Sequence, residues 1–300
     1  MNIFFASSHK LSVPIAQALI DGDLVSGFIT NIDKPVGRKK EISSNSFSQW
    51  AVQTNIPIYK PASSTELDEL LSGNAVDLVI TCAYGSFIRK SSLKIPKFGW
   101  LNIHFSILPK YRGAAPAQRA LINGDATTGY SIFKLDEGLD TGPILFNEEV
   151  NISDQVGAEI LLSNLANLAA KSLPRLINNY SNWKFLEQSG VASQAPKITN
   201  EEKRVDWYKG AKIIRNLERG MEINGGIHTF FRGEKLSIKD LALSDETLNP
   251  GELVIQDGEL LVGTGDKAIK IRSIQPAGKN WMLISDWLNG ARLKSGEKFE

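Results

Sequence analysis

A chain of 300 residues, 42% hydrophobic and 22% charged, has the composition of a globular protein and length for about two domains, each able to bury a core. Its formal net charge of +1 excludes a broad basic surface that coats nucleic acid and leaves only local basic contacts. One cysteine excludes an intramolecular disulfide framework, and with three histidines it leaves no zinc-ligand spacing, so no metal and a reducing, cytoplasmic compartment are expected. No apolar run approaches the roughly 18 residues of a membrane span, and MNIFFASSHK lacks the form of a signal peptide, so no membrane partner is expected.

Asn2 to Ala6 reads as a short strand, Val13 to Ile20 as a helix with Ile15, Ala16 and Leu19 at helical spacing, and Leu24 to Thr30 as a second strand. After a basic loop, Phe47 to Thr54 reads as helical, Ile56 to Tyr59 as extended, Thr65 to Leu71 as helical and Asp77 to Cys82 as a buried strand. Strands alternating with helices at this spacing predict an α/β domain with a doubly wound, mostly parallel sheet, whose ligand crevice lies beyond the carboxyl ends of its strands. Two loops leave such ends, Ala83-Tyr84-Gly85 and His104 to Gly113. The first strand runs into Ser7-Ser8-His9 without a glycine fingerprint, and no GxxxxGK[ST] occurs, so a phosphate-cradling loop has no support.

Gln155 to Asn179 carries a long helical pattern with Pro174 near its end, where a kink is expected. Gln188 to Lys203 is polar and small and reads as a linker. Tyr208 to Arg219 is amphipathic, and its Lys209, Lys212, Arg215 and Arg219 suit either an RNA-contacting stripe or a solvated helix face. Short apolar runs from HTFF to AIKIRSIQPAG, broken by Gly, Asn, Asp and Pro, predict a small antiparallel β-barrel, with a closing helical turn over Leu283 to Leu288. The expected domains are 1–189 and 206–300, joined by 190–205.

The chemistry concentrates in LNIHFSILPKYRGAAPAQRALINGDATTGYSIFKLDEGLDTGP, residues 101–143. Asn102 and His104, two apart in an extended segment, leave the same face of a strand. Asp140, in LDTG, can return to the imidazole. Acyl transfer to an amine needs a donor that holds a developing oxyanion and a group that takes the amine proton. Asn102 and His104 supply the first, and Asp140 orients or charges the imidazole, or accepts the proton. No nucleophilic side chain is required: Ser106 is not in a G-x-S-x-G elbow and Cys82 closes a buried strand. Taken singly, His104 reads as a hydrogen-bonded structural residue and Asn102 or LDTG as turn chemistry. Turn chemistry explains neither Arg112 nor an imidazole at this spacing. Arg112 is either a surface ion-pair residue or a guanidinium that positions substrate.

NIHFSILPKYRGAAPAQRALINGD followed by LDEGLDTG resembles the folate-dependent formyltransferases, and TNIDKPVGRKK, VITCAYGSFI, KITNEEKRVDW and IQPAGK extend the resemblance to a tRNA-acting branch over nearly the whole chain. The resemblance implies a Rossmann-like catalytic domain and an OB-like C-terminal barrel that contacts tRNA. It implies 10-formyltetrahydrofolate as donor, the methionine α-amino group of initiator methionyl-tRNA as acceptor, and a role in translation initiation as a monomer. It makes Asn102, His104 and Asp140 the catalytic trio, sets Ser106, Ile107, Leu108 and Pro109 along the tetrahydrofolate, and gives the pterin backbone groups from Ala83 to Ile88, Tyr84, Gly85 and Ile88 among them. Lys34, Arg38, Lys39 and Lys40, with Arg112, are assigned to the tRNA. On charge alone the same basic loop reads equally as solvated surface. The expected mechanism is direct amine attack on the formyl carbon, with the oxyanion held by Asn102 and His104. Two rivals stand beside it: the same transfer to a nucleotide-linked amino sugar, and a non-catalytic RNA-binding module on this fold.

Overall fold

The first strand, β1 (Ile3–Ala6), is buried on both faces, and side-chain alternation sends Phe4 and Phe5 into separate cores. Phe5 joins an aromatic cluster with Phe28, Phe47 and Trp50, while Phe4 stacks on Tyr59 and packs with Leu67, Leu71, Val79 and Trp100. These contacts belong to a computed structural model that describes residues 1–36 and 41–300.

Around β1 the chain builds α1 (Val13–Asp21), β2 (Gly27–Ile29), the antiparallel pair β3 (Lys34–Val36) and β4 (Glu41–Ser43), α2 (Ser46–Ala51), β5 (Ile58–Tyr59), α3 (Ser64–Gly73) and β6 (Leu78–Thr81). Then come α4 (Lys90–Lys94), β7 (Trp100–His104), α5 (Pro116–Asn123), β8 (Thr127–Lys134), β9 (Ile144–Asn151) and α6 (Ala158–Asn178). The Ser63 hydroxyl caps α3 by accepting from the Glu66 N–H at 3.1 Å, while Glu66 reaches back to the Ala62 N–H at 2.9 Å. The sheet order is β5-β2-β1-β6-β7-β8-β9, parallel from β5 to β7 and antiparallel at β7–β8. This is the doubly wound, Rossmann-like arrangement expected, and it places the end of β7 at the ligand crevice. The helix α6 continues through Pro174.

By its contacts the chain forms two units. The first holds Met1–Pro116, Thr128–Asn151 and Leu162–Ala195; the second holds Ala117–Thr127, Ile152–Leu161 and Pro196–Glu300. In the second, α7 (Ala211–Met221) precedes a six-stranded antiparallel sheet of β10 (Ile227–Phe231), β11 (Glu234–Leu243), β12 (Leu253–Gln256), β13 (Glu259–Gly263), β14 (Ala268–Pro276) and β15 (Met282–Leu283), followed by α8 (Ile284–Ala291). Its path is β10-β11-β14-β13-β12, with β15 on β14. Residues 297–300 bridge the two outer strands: Leu253 N–H donates to Glu297 O at 3.3 Å, Phe299 N–H to Gly251 O at 2.9 Å, and Glu300 and Phe230 exchange backbone hydrogen bonds at 2.9 and 3.3 Å. The terminal segment thereby closes the sheet on itself, and closure removes exposed edges. Among the described residues no helix is long and apolar enough to cross a membrane.

Candidate active site

The strand β7 lies between β6 and β8, with Asn102 opposite Thr81 on one side and His104 opposite Ser131 on the other. Asn102 is half-buried, and its amide makes no hydrogen bond to any described residue. The His104 ring is buried, edge-on to Phe133, with Nε2 2.8 Å from the Tyr111 carbonyl oxygen. A carbonyl only accepts, so Nε2 carries the hydrogen and Nδ1 of the neutral ring presents a lone pair. That Nδ1 lies 3.7 Å from Asp140 Oδ2, within electrostatic range but too far for a good hydrogen bond. Burial holds the His104 pKa below its ordinary value; the Asp140 charge and the Tyr111 carbonyl act in the opposite direction. At neutral pH the site therefore presents a neutral imidazole beside a carboxylate, arranged to accept a proton.

Asp140 has φ +53, and its loop is fixed by three hydrogen bonds, two of them to Asp140 itself. Its Oδ2 accepts from the Gly113 N–H at 2.8 Å, and the Gln188 amide donates to the carbonyls of Asp140 and Gly142, each at 2.8 Å. Gln188 in turn accepts from Arg112 through Nε and Nη2 at 3.2 and 2.6 Å. Arg112, expected at the tRNA, thus supports the aspartate loop, with its charge left uncompensated by a carboxylate in this contact. The polar stretch read as a linker also pairs with the site loop: Arg112 N–H donates to Ser193 O, Ala195 N–H to Arg112 O and Tyr111 N–H to Ser193 Oγ. Gln188 and Ser193 carry no sequence signal, because their roles depend on contacts 48 and 82 residues away.

Gly113 sits where this pairing is tightest. Its φ is +127, and a Cβ there would lie 2.6 Å from the Ala195 carbonyl oxygen. Gly113→Ala is expected to displace the N–H that holds Asp140 and to lower kcat/KM at least about tenfold, with a reduced melting temperature; wild-type kinetics would contradict this geometry.

Around the trio, the loop after His104 is internally bonded. The Ser106 hydroxyl donates to Lys110 O at 2.7 Å, while Ser131 Oγ donates to Ser106 O and accepts from Leu108 N–H. Ser106, Leu108 and Pro109 are buried, so of the four residues expected along the folate, Ile107 presents surface. In the other loop Tyr84 and Ile88 pack on the core and the Tyr84 carbonyl is taken by Asn31. Gly85 at φ +73 is open above its Cα. The backbone N–H groups of Gly85, Phe87 and Ile88 make no hydrogen bond to described residues, which leaves them available to a ligand. Lys34 is exposed on β3; Arg38, Lys39 and Lys40 lie outside the described residues. A cavity of about 320 Å³ lined by Lys90, Lys94, Lys97 and Lys134 opens at the other end of β7, around Gly99, and contains none of the expected site residues.

The end of β7 carries Asn102 and His104, and the loop before β9 brings Asp140 within 3.7 Å of the imidazole, a set suited to group transfer. The chain belongs to the formyl transferase family: residues 2–177 match the family described as formyl transferase, and residues 197–292 match the formyl transferase C-terminal domain. It is 34% identical over 308 residues to a methionyl-tRNA formyltransferase from Arthrobacter sp. (strain FB24), covering 100% of both chains. Among solved structures it is similar to an N-formyltransferase from Helicobacter canadensis in complex with folinic acid and dTDP-3-aminofucose, with TM-score 0.68 and 18% identity, covering 90% of this chain and 98% of that one. It is also similar to HypX from Aquifex aeolicus in complex with tetrahydrofolic acid, with TM-score 0.66 and 17% identity, covering 99% of this chain. The chain spans about half of HypX, 48% of its length. At these identities the structural likenesses speak for the fold.

Proposed function

We propose that this protein transfers the formyl group of 10-formyltetrahydrofolate to the α-amino group of methionine on initiator methionyl-tRNA, as a cytoplasmic monomer serving translation initiation. The first unit carries the chemistry and the second contacts RNA. The observation that carries the reaction is the His104 tautomer: with Nε2–H committed to Tyr111, Nδ1 is a base facing Asp140. As the amine attacks the formyl carbon, a C–N bond forms and the carbonyl oxygen gains charge, which Asn102 stabilises through its free amide. His104 Nδ1 takes the amine proton, and Asp140 stabilises the imidazolium that results. The same proton then passes from Nδ1 to the folate nitrogen as its bond to the formyl carbon breaks. This assigns the oxyanion to Asn102 and makes His104 the proton carrier, a sharper division than a shared oxyanion hole.

Full-length identity to relatives named methionyl-tRNA formyltransferase supports the acceptor. Backbone N–H groups over Gly85 to Ile88 and the surface of Ile107 would hold the folate. The test offers purified protein 10-formyltetrahydrofolate with methionyl initiator tRNA and, separately, with dTDP-linked amino sugars. Formylmethionyl-tRNA alone is expected. Formylated sugar would transfer the reading to the sugar enzymes, and tRNA bound without transfer would leave a binding module.

A further inference from the structure

The basic stripe foreseen on α7 does not form, since Arg219 is buried and its guanidinium donates to Val156 O at 2.8 Å and Ser153 O at 2.7 Å. A denser group of cations stands in the first unit. Lys90, Lys94, Lys97 and Lys134 line the cavity of about 320 Å³ around Gly99, built from α4, the turn after it and the end of β8. Gly99 and His104 lie on the order of 15 Å apart along β7, so this cavity is separate from the transfer site.

Its charge is unbalanced. Of the two carboxylates on its wall, Glu137 pairs with Lys90 at 2.5 Å, while Asp136 Oδ1 accepts from the Gly138 N–H at 3.0 Å and the Thr141 hydroxyl at 2.7 Å. Lys94, Lys97 and Lys134 form no ion pair among the described residues. The helix dipole accounts for Lys94 alone, in the last turn of α4. Gly99, at φ +76, makes room for Lys134: a Cβ there would lie 3.0 Å from Lys134 Cε.

Two of these cations lie on aromatic rings. Lys97 Nζ is 5.3 Å from the Phe98 ring centre, and Lys134 Nζ is 5.9 Å from that of Phe185. Trp183 joins the two rings, edge-on to Phe98 at 6.3 Å and to Phe185 at 6.0 Å, and its indole N–H is fixed on Leu176 O at 2.8 Å. Tyr180, 45% exposed, meets Phe98 at 5.5 Å. An aromatic wall thus begins and ends on lysines of the cavity.

We propose that this place binds a nucleoside di- or triphosphate, with its phosphates among the lysines and its base on the aromatic wall at Tyr180. Ammonium groups are point charges that suit phosphate oxygens from any direction, whereas planar carboxylates favour the guanidinium fork, and no arginine lines the cavity. The volume is that of a small-molecule site. An RNA strand spaces its phosphates along a backbone; here the cations surround one hollow.

The test titrates the full chain by calorimetry at about 0.1 M salt, without added divalent cation, using ATP, GTP, tripolyphosphate and citrate. One ATP or GTP per chain is expected, with tripolyphosphate and citrate at least about tenfold weaker. The exposed double variant K94E/K97E is expected to raise the nucleotide Kd at least about tenfold, Tyr180→Ala about tenfold, and Tyr180→Phe to restore it. Melting temperatures of the variants confirm that each is folded. No nucleotide bound up to about 1 mM overturns the proposal, as does binding that K94E/K97E leaves unchanged. Tripolyphosphate or citrate as tight as ATP, with Tyr180→Ala silent, also overturns it by reducing the cavity to a general anion trap. Every readout is of binding, so the proposed transfer reaction can fail without deciding this one.

Discussion

Asp140→Asn is expected to lower kcat at least about a hundredfold with little change in thermal stability. The stability half follows from the acceptor that asparagine retains: its carbonyl oxygen still takes the Gly113 N–H that Oδ2 takes at 2.8 Å. The catalytic half follows from the lost charge 3.7 Å from His104 Nδ1, which is needed when the ring carries the amine proton. The pH profile separates this role from a structural one. Burial already holds His104 below about 6.5, and Asp140 is the charge that lifts it, so the variant's acid limb moves to lower pH while its plateau falls. The sign for folding runs the same way: the folded state takes up this proton less readily than the unfolded chain. The contribution to stability is therefore present above about pH 6.5 and lost as pH falls through the folded value. A limb that moves upward, or turnover within a few-fold of wild type, would remove Asp140 from the mechanism.

Phe299→Ala is expected to destabilise the second unit by about 3–5 kcal/mol, lowering its melting temperature on the order of 10 °C. Phe299 is buried against Trp207, Phe231 and Trp287, with ring centres 5.9, 5.8 and 6.1 Å away, so truncation opens a cavity among large aromatics that cannot collapse into it. The same residue anchors the segment that joins β12 to β10, and Gly251, at φ +77, leaves room for it: a Cβ there would lie 2.5 Å from the Phe299 carbonyl. Calorimetry and urea unfolding of the full chain measure the effect, and a shift below about 2 °C would show that the tail is dispensable.

What the sequence disclosed was periodic or local. Asn102 and His104 stand two apart in an extended segment, so both could be put on one face, and LDTG marks a turn able to bring Asp140 back. The βαβ spacing predicted the parallel sheet because each of its strands is a short apolar run. Less legible was β9, whose ILFNEEVN alternates at a half-exposed edge and carries two carboxylates. Polar composition likewise made Gln188 to Lys203 look like a tether, although Gln188, Ser193 and Ala195 fasten the site loop by side-chain and backbone bonds that leave no pattern in the residues themselves. The direction of the His104 hydrogen bond depends on where Tyr111 turns its carbonyl, which no residue type announces. Closure of the barrel was hidden for a similar reason, since KFE is too short to read as a strand.

The two stretches 117–127 and 152–161 bear on how this protein can be recombined. They supply Arg119, which grips Glu202 and the Pro196 carbonyl, and the Ser153 and Val156 carbonyls that receive the Arg219 guanidinium. A chimaera cut at residue 196 would exchange Glu202 and Arg219 while leaving their partners behind, stranding a buried cation among mismatched neighbours. The inheritable module is therefore a set of three separated segments, and a swap that carries all three is the one expected to yield a folded hybrid.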